Sequence, residues 1–159
     1  MRDAGVKVSV PLGENKRVGA GVQIRFHGAW YRISNNPLEV WRALALCNKF
    51  DISAPAWASE YLTRVTLQIA SLESSKRFDF DLADAMEFSG EALEKRKKFM
   101  RQRKVVRWIF DHTTADERAD PRAMQRYFLD AAAEFDPDPK SDATIANWWR
   151  EFHLHFMSE

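Results

Sequence analysis

The stretch VQIRFHGAWYRIS, residues 22–34, decides the fold class that the sequence predicts. Its first five residues alternate between apolar and polar side chains, which is the period of a β-strand with one buried face. His27-Gly28 has the composition of a tight turn, so residues 29–34 are predicted to form the next strand. Alternating valines over residues 6–10 predict one more strand upstream. The pattern indicates a short antiparallel β-meander at the N-terminus.

The remainder of the chain carries helical signals. Asn36 followed by Pro37 predicts a capped helix start, and Glu39 completes a capping-box pattern. Similar start signals recur down the chain and predict about six helices, one of them from about 91 to 112. Residues 113–120, TTADERAD, are predicted to form a loop because they are polar and lack a helical stripe.

The predicted fold class is therefore α+β, a short N-terminal antiparallel β-meander followed by a mainly helical bundle of about six helices. We divide the chain into a β-rich N-terminal segment, residues 1–34, and a helical domain, residues 35–159. The helical domain includes a candidate helix-turn-helix at 120–156. The total of 159 residues suits a single domain of this kind.

Composition indicates a well-filled core. Hydrophobic residues make up 45% of the chain and include six Trp and eleven Phe, so no metal or disulfide is needed to hold it together. The single Cys47 cannot form an internal disulfide, which favours a reducing compartment. No apolar run is long enough for a membrane span, and the N-terminus lacks the apolar core of a signal peptide. We expect a cytoplasmic protein that does not enter a membrane.

The residues that could carry catalysis or bind a metal do not form a recognisable pattern. His153 and His155 would point about 200° apart on a helix, so they cannot share a metal ion. Cys47 lies among leucines and is predicted to be a buried small hydrophobe. No glycine-rich phosphate-binding loop is present. We predict no catalytic residue, no metal site, no cofactor and no enzymatic activity.

Charge is strongly segregated although the net charge is only +1. Residues 79–94 carry six acids and no base, and residues 95–107 carry eight bases and no acid. A helix with so many bases can bind a polyanion through its phosphates. The alternative is a solvated charged face on an amphipathic helix, since Phe99, Val106 and Phe110 form a core stripe on the same segment. The candidate contacts to nucleic acid on this helix are Lys95, Lys98, Arg101, Arg103, Lys104 and Arg107.

A second candidate lies near the end of the chain. The stretch SDATIANWWREFH, residues 141–153, follows FLDAAAEF, residues 128–135, after a proline-containing break. The pair resembles the bracing and recognition helices of bacterial helix-turn-helix DNA-binding domains. The resemblance implies base contacts from the second helix in the major groove and a phosphate contact from Lys140. The base contacts that it implies are Thr144, Asn147 and Arg150.

The same residues also fit a simple helical hairpin. An apolar stripe occupies positions i, i+4, i+7 and i+11 of the last helix, and packing alone accounts for it. The members of this stripe are Ile145, Trp149, Phe152 and Phe156.

The sequence is compatible with two functions. The first is a DNA-binding regulator or accessory protein of bacterial or mobile-element type, whose partner is double-stranded DNA or another polyanion. Such a protein would be a homodimer if it reads a palindrome. The second is a protein-binding adaptor or inhibitor that docks on a protein partner through its charged helices and through aromatic anchors such as Trp30 and Trp148.

Overall fold

A computed structural model describes residues 10–12, 16–72, 78–88, 91–135 and 141–158 of the chain. The described residues form eight helices and two short strands. The helices are α1 Ala20–Ser34, α2 Pro37–Phe50, α3 Ala56–Ala70, α4 Phe78–Ala85, α5 Glu91–His112, α6 Ala115–Ala119, α7 Pro121–Phe135 and α8 Ser141–Met157. The strands are β1 Val10–Leu12 and β2 Lys16–Val18, paired antiparallel with Val10 opposite Val18.

The predicted α+β class is wrong, because residues 22–34 belong to helix α1 and the molecule is an all-α bundle. Phe26 and Trp30 are both fully buried and lie four residues apart, which is the spacing of a helical face. The alternation that predicted a strand spans little more than one helical turn. Gly28 is a buried residue inside α1 rather than a turn. Among the described residues, β structure is limited to a ribbon of two three-residue strands, too short to form a layer.

The predicted number of helices was too low for two reasons. Helix α1 replaces the strands expected over residues 22–34, and α6 lies inside the segment that was predicted to be a loop. The strand expected over residues 6–10 lies outside the described residues except for its last position. Helix α6 begins with a capping box, in which the Thr114 hydroxyl accepts from the Glu117 amide and the Glu117 carboxylate accepts from the Thr114 amide. The T-x-x-E signature was therefore present in the sequence. The long helix predicted at about 91 to 112 is confirmed as α5.

The main core joins α1, α5, α7 and α8. Phe26 of α1 lies with its ring centroid 5.1 Å from that of Phe110 in α5 and 5.2 Å from that of Phe152 in α8. The predicted apolar stripe of α8 is buried along its whole length, including Phe152 at 0% exposure. Aromatic pairs at these separations add directional contacts to the area that they bury.

A second core cluster lies on another side of α1, against α2 and α3. Asn35 ends α1 in the left-handed conformation, and the Asn36 side chain accepts from the Leu38 amide to begin α2, as predicted. Helices α2 and α5 thus both pack on α1, the first through a tight hairpin and the second through the main core. No helix within the described ranges combines the length and the apolar composition that crossing a membrane requires.

Candidate functional site

A cleft runs along α1 between α2 and α5. Its floor is one side of α1, where Gln23, His27, Trp30 and Ser34 follow the spacing i, i+4, i+7, i+11. The cleft consists of two cavities of about 430 and 510 Å³ that share Arg42, Arg103 and Arg107. Both volumes fall within the range of small-molecule binding sites.

The cleft is lined by cations. Helix α2 contributes two cations to its walls and α5 contributes four, whereas none of the described residues that line the two cavities is acidic. We call this set the cationic cleft, and its members are Arg42, Lys49, Arg96, Arg103, Lys104 and Arg107. Cations gathered on low-dielectric walls concentrate the electrostatic potential inside a cleft.

The Glu39 carboxylate is fully buried beside the cleft and binds three side chains of the cleft lining. Glu39 Oε1 accepts from Arg42 Nη1 and from Arg103 Nε, both at 2.7 Å. Its Oε2 accepts from His27 Nδ1 at 2.7 Å and from Arg103 Nη2 at 3.1 Å. Burial would raise the pKa of Glu39, but the hydrogen bond from His27 and the Arg103 guanidinium lower it to about 2. Glu39 is therefore ionised and orients both walls of the cleft.

The hydrogen bond to Glu39 also fixes the state of His27. Burial lowers the pKa of His27 below its ordinary value, and it outweighs the hydrogen bond to Glu39 and the charge of that carboxylate, which raise it. The nearby guanidinium groups of Arg103 and Arg107 lower the pKa further. A neutral imidazole that faces an ionised carboxylate must carry its proton on the facing nitrogen, here Nδ1. The Nε2 atom is then a free lone pair, with no hydrogen bond to any described residue.

Arg107 is fixed by a separate set of contacts at the end of the cleft nearest Gln23. Its Nη1 donates to Gln23 Oε1 at 2.8 Å, and its Nε lies 2.9 Å from the Asp111 carboxylate. The guanidinium also lies over the Phe26 ring, 4.6 Å from the centroid. Asp111 is four residues away on α5 and gives Arg107 an acidic partner on the same helix.

Several buried donors of the cleft lining have no hydrogen-bond partner among the described residues. They are Gln23 Nε2, Trp30 Nε1, and both Nε and Nη2 of Arg96. Buried polar groups are normally paired, so each of these donors requires an acceptor. All of them are N–H groups, and this set favours a ligand rich in acceptor oxygens, such as a phosphate.

The structure brings together only part of the predicted contact set. Arg103, Lys104 and Arg107 lie in the cationic cleft, and Arg101 is exposed on α5 outside it. Lys95 and Lys98 belong to α5, but their side chains are outside the described part of the structure, and Lys140 is outside the described residues altogether.

The predicted base-reading residues lie elsewhere. Thr144, Asn147 and Arg150 are exposed on α8, and none of them lines the cleft. Arg150 Nη1 donates to Asn147 Oδ1 at 2.8 Å. The face that they share contains one cation, and the neighbouring Glu151 accepts from Gln102 of α5.

Sequence reasoning missed the α1 and α2 contributions to the site. Gln23 and Trp30 were assigned to strands and His27 to a turn, which concealed their helical spacing. Glu39 was interpreted as a capping-box residue, whereas its carboxylate bonds to His27, Arg42 and Arg103 instead. The usable signal was the charge of Glu39 at helical spacing from Ala43, four residues later on the buried face of α2.

Comparisons with protein-family models, curated proteins and solved structures find no match to this chain. Within the described ranges, no cluster of three or more His, Cys, Asp or Glu side chains could hold a metal ion. The geometry of the cationic cleft is therefore the basis for a functional proposal.

Proposed function

We propose that the protein is a DNA-binding regulator or accessory protein that holds nucleic-acid phosphates in the cationic cleft. The observation that carries this proposal is the lining of the cleft, which has six cations, no acid and several unpartnered N–H donors among its described residues. Phosphate contacts supply most of the affinity of non-specific nucleic-acid binding.

The length of the cleft favours a chain of phosphates over a single anion. Its cations extend from Arg96 to Arg107 along α5, eleven residues that span about 17 Å of helix. On α2, Arg42 and Lys49 are separated by about two turns. Several phosphates of one strand can therefore contact the cleft at the same time, and each contact releases a counterion.

Apolar side chains between the cations suit nucleic-acid bases. Leu38 and Leu46 of α2 and Phe99 and Met100 of α5 line the two cavities. Grooves that bind single strands combine a basic track with apolar and aromatic surfaces against which bases pack. A strand with its backbone along the cations would place its bases on these side chains.

The exposed residues of α8 form a second proposed contact surface. Thr144, Asn147 and Arg150 have the side-chain chemistry for base edges, although the surface carries little charge. In this proposal α8 adds sequence preference and the cationic cleft supplies affinity. An Arg150→Ala variant would then lose discrimination among sequences while keeping most of its non-specific binding.

Fluorescence anisotropy with labelled single-stranded and duplex DNA of mixed sequence tests the proposal. We expect binding at about 50 mM salt that weakens steeply by about 200 mM salt. Absence of binding to both forms at the lower salt concentration would contradict it.

The rival function is the protein-binding adaptor, and it too has a structural observation in its favour. Leu154 and Met157 are 71% and 62% exposed and lie three residues apart on α8. Neighbouring exposed apolar side chains on a helix are a surface that a protein partner can cover. A chain that binds no DNA, together with a stoichiometric protein partner lost in the Leu154→Asp variant, would favour the adaptor.

A further inference from the structure

We propose that the cavity around His27 binds the terminal phosphomonoester of a nucleic-acid strand. This inference rests on the proposed function, since it names the part of the strand that enters the cationic cleft. The cavity has a volume of about 510 Å³ and is lined by Gln23, His27, Arg103 and Arg107, with Lys49 at its α2 wall.

The donors of this cavity match a terminal phosphate. Arg103 and Arg107 reach it from α5, and Lys49 reaches it from α2. Gln23 is only 3% exposed, and its Nε2 has no partner among the described residues. A phosphomonoester offers three acceptor oxygens and a charge of about −1.5 to −2 at neutral pH, whereas an internal phosphodiester lacks the third terminal oxygen.

His27 can distinguish a terminal phosphomonoester from an internal phosphodiester. Its Nδ1–H is held by Glu39, which leaves Nε2 as a proton acceptor in the cavity wall. A phosphomonoester with a second pKa near 6 can share a proton with that nitrogen, whereas a phosphodiester has no ionisable proton to share near neutral pH. The charged groups around His27 are Glu39 from α2 and Arg103 and Arg107 from α5, and a bound dianion would offset the two guanidiniums.

The adjoining cavity can take the nucleoside attached to that phosphate. It has a volume of about 430 Å³, shares three arginines with the His27 cavity, and is lined by Leu38, Phe99 and Met100. The fully buried Trp30 also lines it, and its Nε1 donor has no partner in the part of the chain that the structure describes. One end of a strand could thus occupy both cavities, with its phosphate beside His27 and its first base on the apolar side chains.

The test compares two labelled single-stranded oligonucleotides of identical sequence, one with a 5′-phosphate and one with a 5′-hydroxyl. We expect the phosphorylated strand to bind about tenfold more tightly, as one additional charge-assisted contact would give. The ratio should grow from about pH 8 to pH 6.5, because a larger fraction of the phosphomonoester carries the proton that it shares with Nε2 as the pH approaches its second pKa near 6. Equal binding of the two strands would overturn the inference and leave the proposed function standing.

Variants and a free nucleotide separate the remaining outcomes. His27→Gln should bring the ratio of affinities close to one and abolish its pH dependence, and Lys49→Gln, at an exposed position, should lower the ratio without risk to folding. Lys97→Gln, outside the cleft, is the charge-matched control and should keep the ratio.

Titration with adenosine monophosphate, with adenosine as reference, tests the cavity alone. Binding of the nucleotide without binding of either strand would refute the proposed function but support the phosphate site, and binding of neither would refute both.

Discussion

At the scale of single residues, Glu39 is the side chain on which the cleft depends. It is 0% exposed, and it bonds to His27 of α1 and Arg103 of α5 as well as to Arg42 one turn away on α2. A buried charge is tolerated only when it is paired and hydrogen-bonded, and four contacts meet that requirement here. These contacts offset the free energy of burying the Glu39 charge, and they hold α1, α2 and α5 in one arrangement.

Removal of the Glu39 charge should destabilise the protein. Glu39→Gln leaves Arg103 and His27 without their anion, and breaking a buried pair in this way costs about 3 kcal/mol of unfolding free energy. Urea denaturation measures the loss. Glu60→Gln, at an exposed position on α3, is the matched control and should change stability by less than about 0.5 kcal/mol. Equal effects of the two substitutions would show that Glu39 does not organise the fold.

Acid should destabilise the protein through the same pair of residues. The pKa of Glu39 is about 2 in the folded chain against an ordinary 4.5, which corresponds to about 3 kcal/mol that is present above pH 4.5 and lost as the pH falls toward 2. The pKa of His27 is also lowered, so the unfolded chain binds the extra proton and stability begins to decline below about pH 6.5.

Urea midpoints at about pH 7, 5 and 3.5 check this dependence, and they should fall in that order. In the Glu39→Gln variant the decline between pH 5 and 3.5 should be smaller, since the carboxyl group that takes up a proton in the unfolded chain over that range is gone. A wild-type midpoint that rises on acidification would contradict the assigned charge states.

At the scale of elements, α1 joins the two core clusters and forms the floor of the cleft. One side of it buries Phe26 and Trp30 in the main core, and Ile24 belongs to the second core cluster. Gln23 and His27 line the cleft with Trp30. A helix with so little exposed surface has no simple amphipathic pattern. This is why the local alternation of its first residues suggested a strand.

Local signals predicted the helices that begin with strong caps. Asn36-Pro37 and Asp120-Pro121 do begin α2 and α7, and the Asp120 side chain accepts from the Arg122 amide as a cap. The cleft could not be predicted in the same way, because its contacts join distant parts of the chain. Glu39 and Arg103 are separated by 64 positions. The sequence alone indicated only one wall of the cleft, the basic segment of α5.

The helical period of α8 leads to a stability prediction. Phe152 is fully buried and contacts the rings of Phe26 and Trp30, whereas Leu154 is 71% exposed. Phe152→Ala should therefore lower the unfolding free energy by about 3–5 kcal/mol through the cavity that it leaves. Leu154→Ala on the same helix should change it by less than about 0.5 kcal/mol. Thermal or urea denaturation of the two variants would reveal the difference. Comparable losses of unfolding free energy would mean that α8 turns a different face toward the core.

At the scale of the whole molecule, the fold brings cations from distant parts of the sequence together in one cleft. The basic segment of α5 meets the cations of α2 across α1, and the described lining of the resulting cleft contains no acid. A net charge of +1 for the chain therefore coexists with a cleft that six cations line. The exposed face of α8 has a single arginine and adds little positive charge to the surface.

The salt dependence of DNA binding tests most directly whether the cationic cleft is the phosphate-binding surface. Two triple variants that lose the same charge are compared with the wild type by anisotropy over a range of salt concentrations. The cleft variant combines Arg42→Gln, Lys49→Gln and Lys104→Gln, and the control combines Lys97→Gln, Arg122→Gln and Arg126→Gln, all at exposed positions.

The cleft variant should bind more weakly, and the slope of its logarithmic affinity against logarithmic salt should be shallower than that of the wild type by about 2, as expected for three lost contacts to a single strand. The control should keep a slope within about 0.5 of the wild type. If both variants lose affinity and slope equally, binding follows overall charge, and the cationic cleft is not the site.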